Sequence, residues 1–519
     1  MRLSKNVWIY LLLLVVVYAG TLMSGTVKSA GVKGKWSVGA TWIGGVLPGP
    51  QDMVVIADAD TVTIDTSTTI ANLTVGEGAG GTCQFSKTGS YKIQINGNLL
   101  VNAAASLRVQ TRTGTDVIDT IVITGDITNN GSTFDLRSGS AGSTLSVCNI
   151  VFTGSGISTI TMNGTYSSTL NEFNGFLFDK SGPGKVVLAS DVYSATGSTS
   201  QPTGDPIWTF SRGRVYTGKY KMISQSTTNA HVGSGSDSSY IVGTLGRGMS
   251  NSAGKTGTFP VGDEKGYRPL KVTATTSGIA SGHFVIVEAV YGNANSGSST
   301  FSNGIDKVSA VRYYKVSYNK GASGAATMTF NKYAPSYGLS DGVAAGNQNL
   351  RVAISDSGRS VWNNVGPSLV TPYTTALDSL PRYITSDTSA STTVTLTSGI
   401  GSILVALARV TGTTENSLVS TGTSVQRGVE NLSAFVLSQN YPNPFNPETS
   451  ISFTIPERSN VTVEIYSLIG TTIAVLQNGT MNAGAHTLRW NASTQPSGVY
   501  FYRVIAGQTM STKRMILLK

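Results

Sequence analysis

The chain holds only three histidines, which sets the first limit on its chemistry. His231 lies in "NAHVGSGS", His283 in "SGHFVIV" and His486 in "GAHTLRW". None sits in a G-x-S-x-G, an H-E-x-x-H or a zinc-ligand spacing. Each therefore reads as a strand or loop histidine, and His486 shares the packing alternation of Leu488 and Trp490. Lys255 lies in "SAGKTG", but a phosphate loop needs glycine five positions before Gly254, and Met249 stands there.

Carboxylates need a closer look, because glycan cleavage or calcium binding requires two of them in proximity. In "ADADTVTID", Asp58 and Asp60 fall on one strand face by period two and could share a calcium ion. The plainer account is two solvent-facing residues at a strand edge. Asp116, Asp119, Asp126 and Asp135 spread along the chain with no cluster, so only stacking could gather them. "FSRGRVYTGKYKM" sets Arg212 and Arg214 on one strand face and Lys219 and Lys221 on the next, with Tyr216 and Tyr220 among them. Such a set can hold a sugar acid or a phosphate; a solvated face is the simpler reading. No residue is assigned to catalysis, and no cofactor or metal is expected.

The elements that would carry these residues are strands. Charged residues make up 12% of the chain against 39% hydrophobic, so the sequence is neither disordered nor strongly polar. Short β-branched runs separated by Gly, Asn and Ser indicate an all-β protein. Arg2, Lys5 and the apolar run Val7 to Ala19 read as a secretory leader ending near Ser29. The run is shorter than the roughly 20 residues of a membrane span; an uncleaved anchor is the competing reading. The formal charge of +10, spread over 519 residues, forms no basic stripe, so nucleic acid is not an expected partner.

From residue 30 a repeat appears. "INGNLL", "ITGDIT" and "FTGSGI" place Gly97, Gly125 and Gly154 at intervals of 28 and 29 residues, with a fainter echo, "FNGFLF", at Gly175. That period predicts a parallel β-helix, whose coils stack at about 4.8 Å. A β-sandwich with evenly spaced turns is the alternative. Cys83 and Cys148 would then lie about two rungs apart, too far for a bridge. Longer alternating runs over 239–410 predict a β-sandwich. Thr- and Ser-rich residues 411–434 read as a linker, and 435–519 as six or seven strands of an immunoglobulin-like module. Pro442, Pro444 and Pro447 cannot donate ladder bonds. They are expected to hold the lead-in extended and unpaired.

The last segment closely resembles a known family. "YPNPFNPETSISFTIP", "VEIYSLIG", "GAHTLRW", "SGVYFYRV" and "KRMILLK" are similar, in order and spacing, to the C-terminal sorting domain of type IX secretion. That system exports proteins across the outer membrane of certain Gram-negative bacteria. The resemblance implies that the outer-membrane translocon reads this domain as an address and that it is commonly removed afterwards. The implied motif positions are Tyr441, Pro442, Asn443, Pro444, Phe445, Asn446, Pro447, Gly470, Trp490, Ser497, Gly498, Val499, Tyr500, Phe501, Tyr502, Lys513, Arg514 and Lys519. Asn491 departs from the family, where an acidic residue is usual. More loosely, "WSVGATWIGGVLPGPQDMVVI", "YIVGTLGR…FPVGDEKGYRPL" and "VSAVRYYKVS" resemble segments of β-helical surface proteins that carry this tail.

The expected molecule is thus an exported all-β protein: leader 1–29, β-helix 30–238, sandwich 239–410, linker 411–434 and sorting domain 435–519. Its expected role is structural or adhesive at the cell surface or outside the cell, without enzyme activity and without a membrane span once mature. The alternative is a polysaccharide-binding or polysaccharide-degrading β-helix, with a surface glycan as partner.

Overall fold

The structure is a computed structural model that describes residues 25–111, 117–131, 133–138, 146–164, 173–194, 208–226, 231–249, 255–275, 284–295, 299–319, 327–338, 341–343, 349–367, 382–387, 394–399, 401–419, 436–437, 439–440, 443–455, 459–467, 471–481, 484–507 and 509–518. The apolar run of the leader lies outside them.

The front of the chain winds into a parallel β-solenoid of about seven turns. Its lower coils have three faces. One carries Met53–Ile56, Asn72–Val75, Leu99–Val101, Ile127–Asn129 and Ile157–Met162. The second carries Thr61–Ile64, Thr82–Phe85, Ser106–Arg108 and Thr133–Asp135. The third carries Thr68–Ile70, Lys92–Ile95, Val117–Ile123, Ser146–Phe152, Gly175–Asp179 and Trp208–Arg212.

Alternation puts every second side chain inside, and parallel register stacks like on like. Ile70, Ile95, Ile123, Phe152, Phe178 and Phe210 form one interior column. Phe152 and Phe178 stack with centroids 5.9 Å apart and planes 4° from parallel. Leu73, Leu99, Ile127, Ile160 and Leu188 form another column. Cys83 and Cys148 are free, buried thiols on different faces. Burial pushes the Cys83 thiol up to about 12, so neither side of a thiolate chemistry is available there.

The repeat glycines do share a corner. Since Ile95, Ile123 and Phe152 are in register, so are Gly97, Gly125 and Gly154 two residues on. Coils approach closely there: a Cβ on Gly125 would lie 2.5 Å from the Gly97 carbonyl oxygen. Gly175 is not part of this corner; it sits mid-face opposite Asn149. In the next coil Lys180 takes the corner position, and its buried Nζ donates to the carbonyls of Thr153 (2.7 Å) and Thr124 (3.2 Å) and to Ser158 Oγ (3.0 Å). One side chain thereby ties three coils. The same corner also uses side-chain oxygens: Asn72 accepts from the Asn98 N–H, Asn98 from the Asp126 N–H, and Asp126 from the Thr159 N–H.

Thr26–Lys28 pair in parallel with Met53–Val55, and Ser29 Oγ accepts the Ala57 N–H. The expected leader, 1–29, thus overlaps this first strand, Thr26–Lys28. Trp36 and Trp42 close this end, edge to face at 4.9 Å.

At the far end the sheet passes straight through the predicted boundary at 239. Val215–Ser224 pairs in parallel with Ile241–Gly248, whose second half pairs antiparallel with Phe284–Tyr291. Arg312–Asn319, Ile403–Val410 and Leu350–Asp356 extend that sheet, and a second sheet with Leu270–Ala274 and Thr327–Tyr337 completes the sandwich. Near the join, buried Arg312 lies 2.7 Å from Asp341 and 3.2 Å from Asp263, and Arg268 donates to Asp341 at 2.8 Å. Asp263, Arg268 and Arg312 belong to the loosely familiar segments, so those segments carry a buried charge network.

Solenoid and sandwich form one compact unit, 1–423, and 424–519 a second. Of the expected linker, 411–419 belong to the sandwich: Leu418 is buried and bonded to Ala310 and Gly342. The rest, 420–434, lies outside the described residues.

Lys180→Met should destabilise the solenoid by about 1–3 kcal/mol, because the Thr153 carbonyl and Ser158 Oγ lose the donor that Lys180 supplies. A urea titration followed by tryptophan fluorescence would register the lowered midpoint.

Candidate functional site

The expected chemistry-bearing residues of the solenoid are dispersed by the fold. Asp58 and Asp60 sit in the turn between Met53–Ile56 and Thr61–Ile64, not on a strand face. Asp60 is buried and accepts the backbone N–H groups of Gly31, Lys33 and Thr61. Burial raises its pKa, but these donors and Ser29 outweigh that and hold it below the usual value. Asp58 instead accepts the N–H groups of Glu77 and Gly78. The pair is divided between separate backbone caps, and Asp60 is buried instead of solvent-facing. Asp119 is buried within the third face and accepts the Tyr91 N–H, whereas Asp126 is at a corner. Asp135 is on the second face, and Asp116 lies outside the described residues. Among the described residues, no three His, Cys, Asp or Glu side chains could hold a metal ion.

The basic set is likewise split. Arg212 ends a third-face strand and makes a two-point contact with Asp179 at 2.6 and 3.0 Å. Arg214 lies in the following turn, over the Tyr240 ring at 5.0 Å. Tyr216 takes Lys185 over its ring at 4.6 Å and donates to Glu264 at 3.2 Å. Lys219 lies over Tyr220, beyond the left-handed Gly218. His231 is buried, His486 lies 5.6 Å from the Phe453 ring, and His283 is outside the described residues. Lys255 begins a strand paired with Leu270–Ala274, so no phosphate loop forms.

The C-terminal unit does gather its motif. Two sheets face each other: Val436–Leu437, Glu448–Ile455 and Gly484–Asn491 in one; Thr472–Met481, Ser459–Ser467, Gly498–Ala506 and Thr509–Leu517 in the other. Phe445, Trp490 and Tyr500 meet in the core, with centroids 5.6 and 5.4 Å apart in turn. Tyr500 donates to the Pro496 carbonyl at 2.7 Å. Buried Tyr502 accepts the Asn440 N–H, and Asn440 Nδ2 donates to Thr449. Asn440 and Thr449 were not singled out from sequence; a buried polar pair has no periodicity to betray it.

The proline segment is not unpaired, contrary to expectation. Phe445 donates to the Ile516 carbonyl at 2.9 Å, Leu518 donates to Phe445 at 3.0 Å, and Ile516 donates to Asn443 Oδ1 at 2.8 Å. The prolines leave Phe445 as the donor and turn the segment into a strap along the terminal strand. Pro447 accepts from Ala492. Pro444, Asn446 and Ser497 lie near or at the surface, Gly498 pairs with Leu517, Val499 is half-buried, and Lys513 pairs with Tyr502. Tyr441, Pro442, Gly470 and Lys519 lie outside the described residues. The departure at Asn491 has a local reason: it pairs with Glu448 and donates to that carboxylate at 2.8 Å, where an acid would repel it.

Residues 439–518 match the family described as the secretion system C-terminal sorting domain. This unit is a type IX sorting domain. No curated protein and no solved structure matched the chain. The sorting domain marks the protein for the type IX machinery, and so for the cell surface or the extracellular space. Among the described residues, no helix is long and apolar enough to cross a membrane.

Two outcomes are expected. Deleting 435–519 should leave the protein in the periplasm, as read by fractionation and by protease accessibility on whole cells. Asp135 is pushed up to about 6 by burial, against the opposing pull of the Arg137 N–H and of Arg108. Its unfolded value is near 3.9, so the folded state holds the extra proton and stability falls as pH rises through about 4 to 6. Calorimetry should show that decline weakened in Asp135→Asn.

Proposed function

We propose that the exported protein is a non-catalytic scaffold with a structural or adhesive role, presenting the flanks and loops of its solenoid to other molecules. One observation carries this reading: the polar side chains at several turns and corners of the solenoid are spent on holding one stretch of the stack to another. Asp60, Asn72, Asn98 and Asp126 each accept backbone donors from another stretch of the stack, and Lys180 gives its protons to earlier coils. Such groups are fixed at corners instead of converging over a groove, whereas glycan hydrolysis needs two carboxylates about 5–10 Å apart.

Glycan binding without cleavage is a second reading, supported by a shallow groove of about 320 Å³ lined by Pro48, Pro50, Ser67, Thr68, Thr69 and Lys92. Its hydroxyls and one ammonium suit a sugar, but it has no aromatic platform.

The leaderless full-length protein should release neither reducing sugar nor unsaturated, ultraviolet-absorbing products from a polysaccharide panel. Either product would overturn the non-enzyme reading. A glycan array with Lys92→Ala as control tests the groove: retained signal on a surface glycan that the variant loses favours binding there.

A further inference from the structure

The strap described above covers only part of an edge. Ile516 directs its N–H and C=O to the strap, Leu518 its N–H, and Arg514 its carbonyl, which accepts from Gln439 at 2.6 Å. Even-numbered residues of Thr509–Leu517 therefore point their backbone groups outward, and odd-numbered ones point them at Gly498–Ala506. By that alternation, both groups of Met510 and Thr512 and the N–H of Arg514 face outward, and among the described residues nothing bonds them. An unpaired row of this kind is a template for another strand.

The sheet surface beside this open half is mixed, apolar at Met510 and Ile505 and basic toward Arg503 and Arg514. Met510 is 59% exposed and lies opposite half-buried Ile505 in the register; Ile516 lies opposite Val499, and Phe501 stands between Val499 and Arg503 on the same face. Cross-strand neighbours of this kind are in contact. Arg503 is paired with Glu464 at 2.8 Å, whereas Arg514 is exposed and has no ion-pair partner among the described residues.

The geometry points to the edge between Met510 and Arg514 as a docking site for an extended strand of the secretion machinery. Backbone bonds to Met510, Thr512 and Arg514 seat it, apolar side chains at alternate positions rest on Met510 and Ile505, and an acidic residue meets Arg514. On its upper half the edge already takes backbone bonds from a crossing segment, through the single parallel bridge of Phe445 to Leu517. This inference is independent of what the solenoid does, since it concerns only delivery.

The test uses the full-length chain in a bacterium with a type IX system. Thr512→Pro deletes an outward N–H and leaves the ladder to Gly498–Ala506 intact, and a proline is tolerated where its missing donor faces solvent. Surface delivery should be lost, with the chain retained in the periplasm and the melting temperature of the purified protein unchanged. Thr512→Val keeps the N–H and should be delivered normally. If Thr512→Pro melts lower, Met510→Asp decides instead, because that exposed side chain can change without cost to the core; it too should lose delivery. Normal delivery of Met510→Asp together with normal delivery of Thr512→Pro overturns the proposal. So does equal loss in Thr512→Val, or a wild-type dimer that Thr512→Pro abolishes, which would assign the edge to self-association.

Discussion

A coil of this solenoid cannot satisfy its own backbone. Every N–H and C=O on its three faces points along the stack, so each coil is completed only by the ones above and below. Register then follows from burial: a one-residue slip would turn the column Ile70, Ile95, Ile123, Phe152, Phe178 and Phe210 outward. The same demand explains the corners, where strands stop and ladder bonds lapse. Asn72, Asn98 and Asp126 replace the missing acceptors there, and Lys180 replaces donors.

Stacking also creates two open ends, and the chain treats them differently. At the first, a loop with Trp36 and Trp42 folds over the coil beneath the strand Thr26–Lys28. The second is continued instead of covered. The parallel sheet turns antiparallel at Ile241–Gly248 and becomes one layer of a sandwich, with a buried Arg–Asp network close by. Ion pairs so enclosed owe little to net attraction, since desolvation offsets it. Removing one partner would leave a bare charge in the core, so the four positions are bound to each other.

The sorting domain meets the same edge problem on a smaller scale. It guards half of its terminal strand with a proline strap, in which Phe445 supplies the backbone donor that a proline cannot, and its carbonyl accepts from Leu518. A rigid core of Phe445, Trp490 and Tyr500 holds the strap in position. Motif residues of this domain therefore divide into those that build it, such as Asn443 and Tyr500, and those left at its surface, such as Lys513 and Arg514.

Much of this was legible in the residues. Period-two alternation, the 28- and 29-residue spacing of Gly97, Gly125 and Gly154, and the C-terminal motif are local signals, so strands, stacking and export address could all be read without coordinates. Groupings across distance could not. Asp58 and Asp60 look paired in the text, yet the left-handed Ala59 between them sends each to a different backbone cap. Gly175 imitates the repeat but lands mid-face. Asn443 and Ile516 share no pattern, and only closure of the sheet brings them together. By itself, then, the sequence determined which segments are strands and where the protein is sent, because alternation and motif spacing are properties of neighbours along the chain. Only the tertiary structure decided which polar groups meet, because that depends on register between coils and on which edge each sheet leaves open.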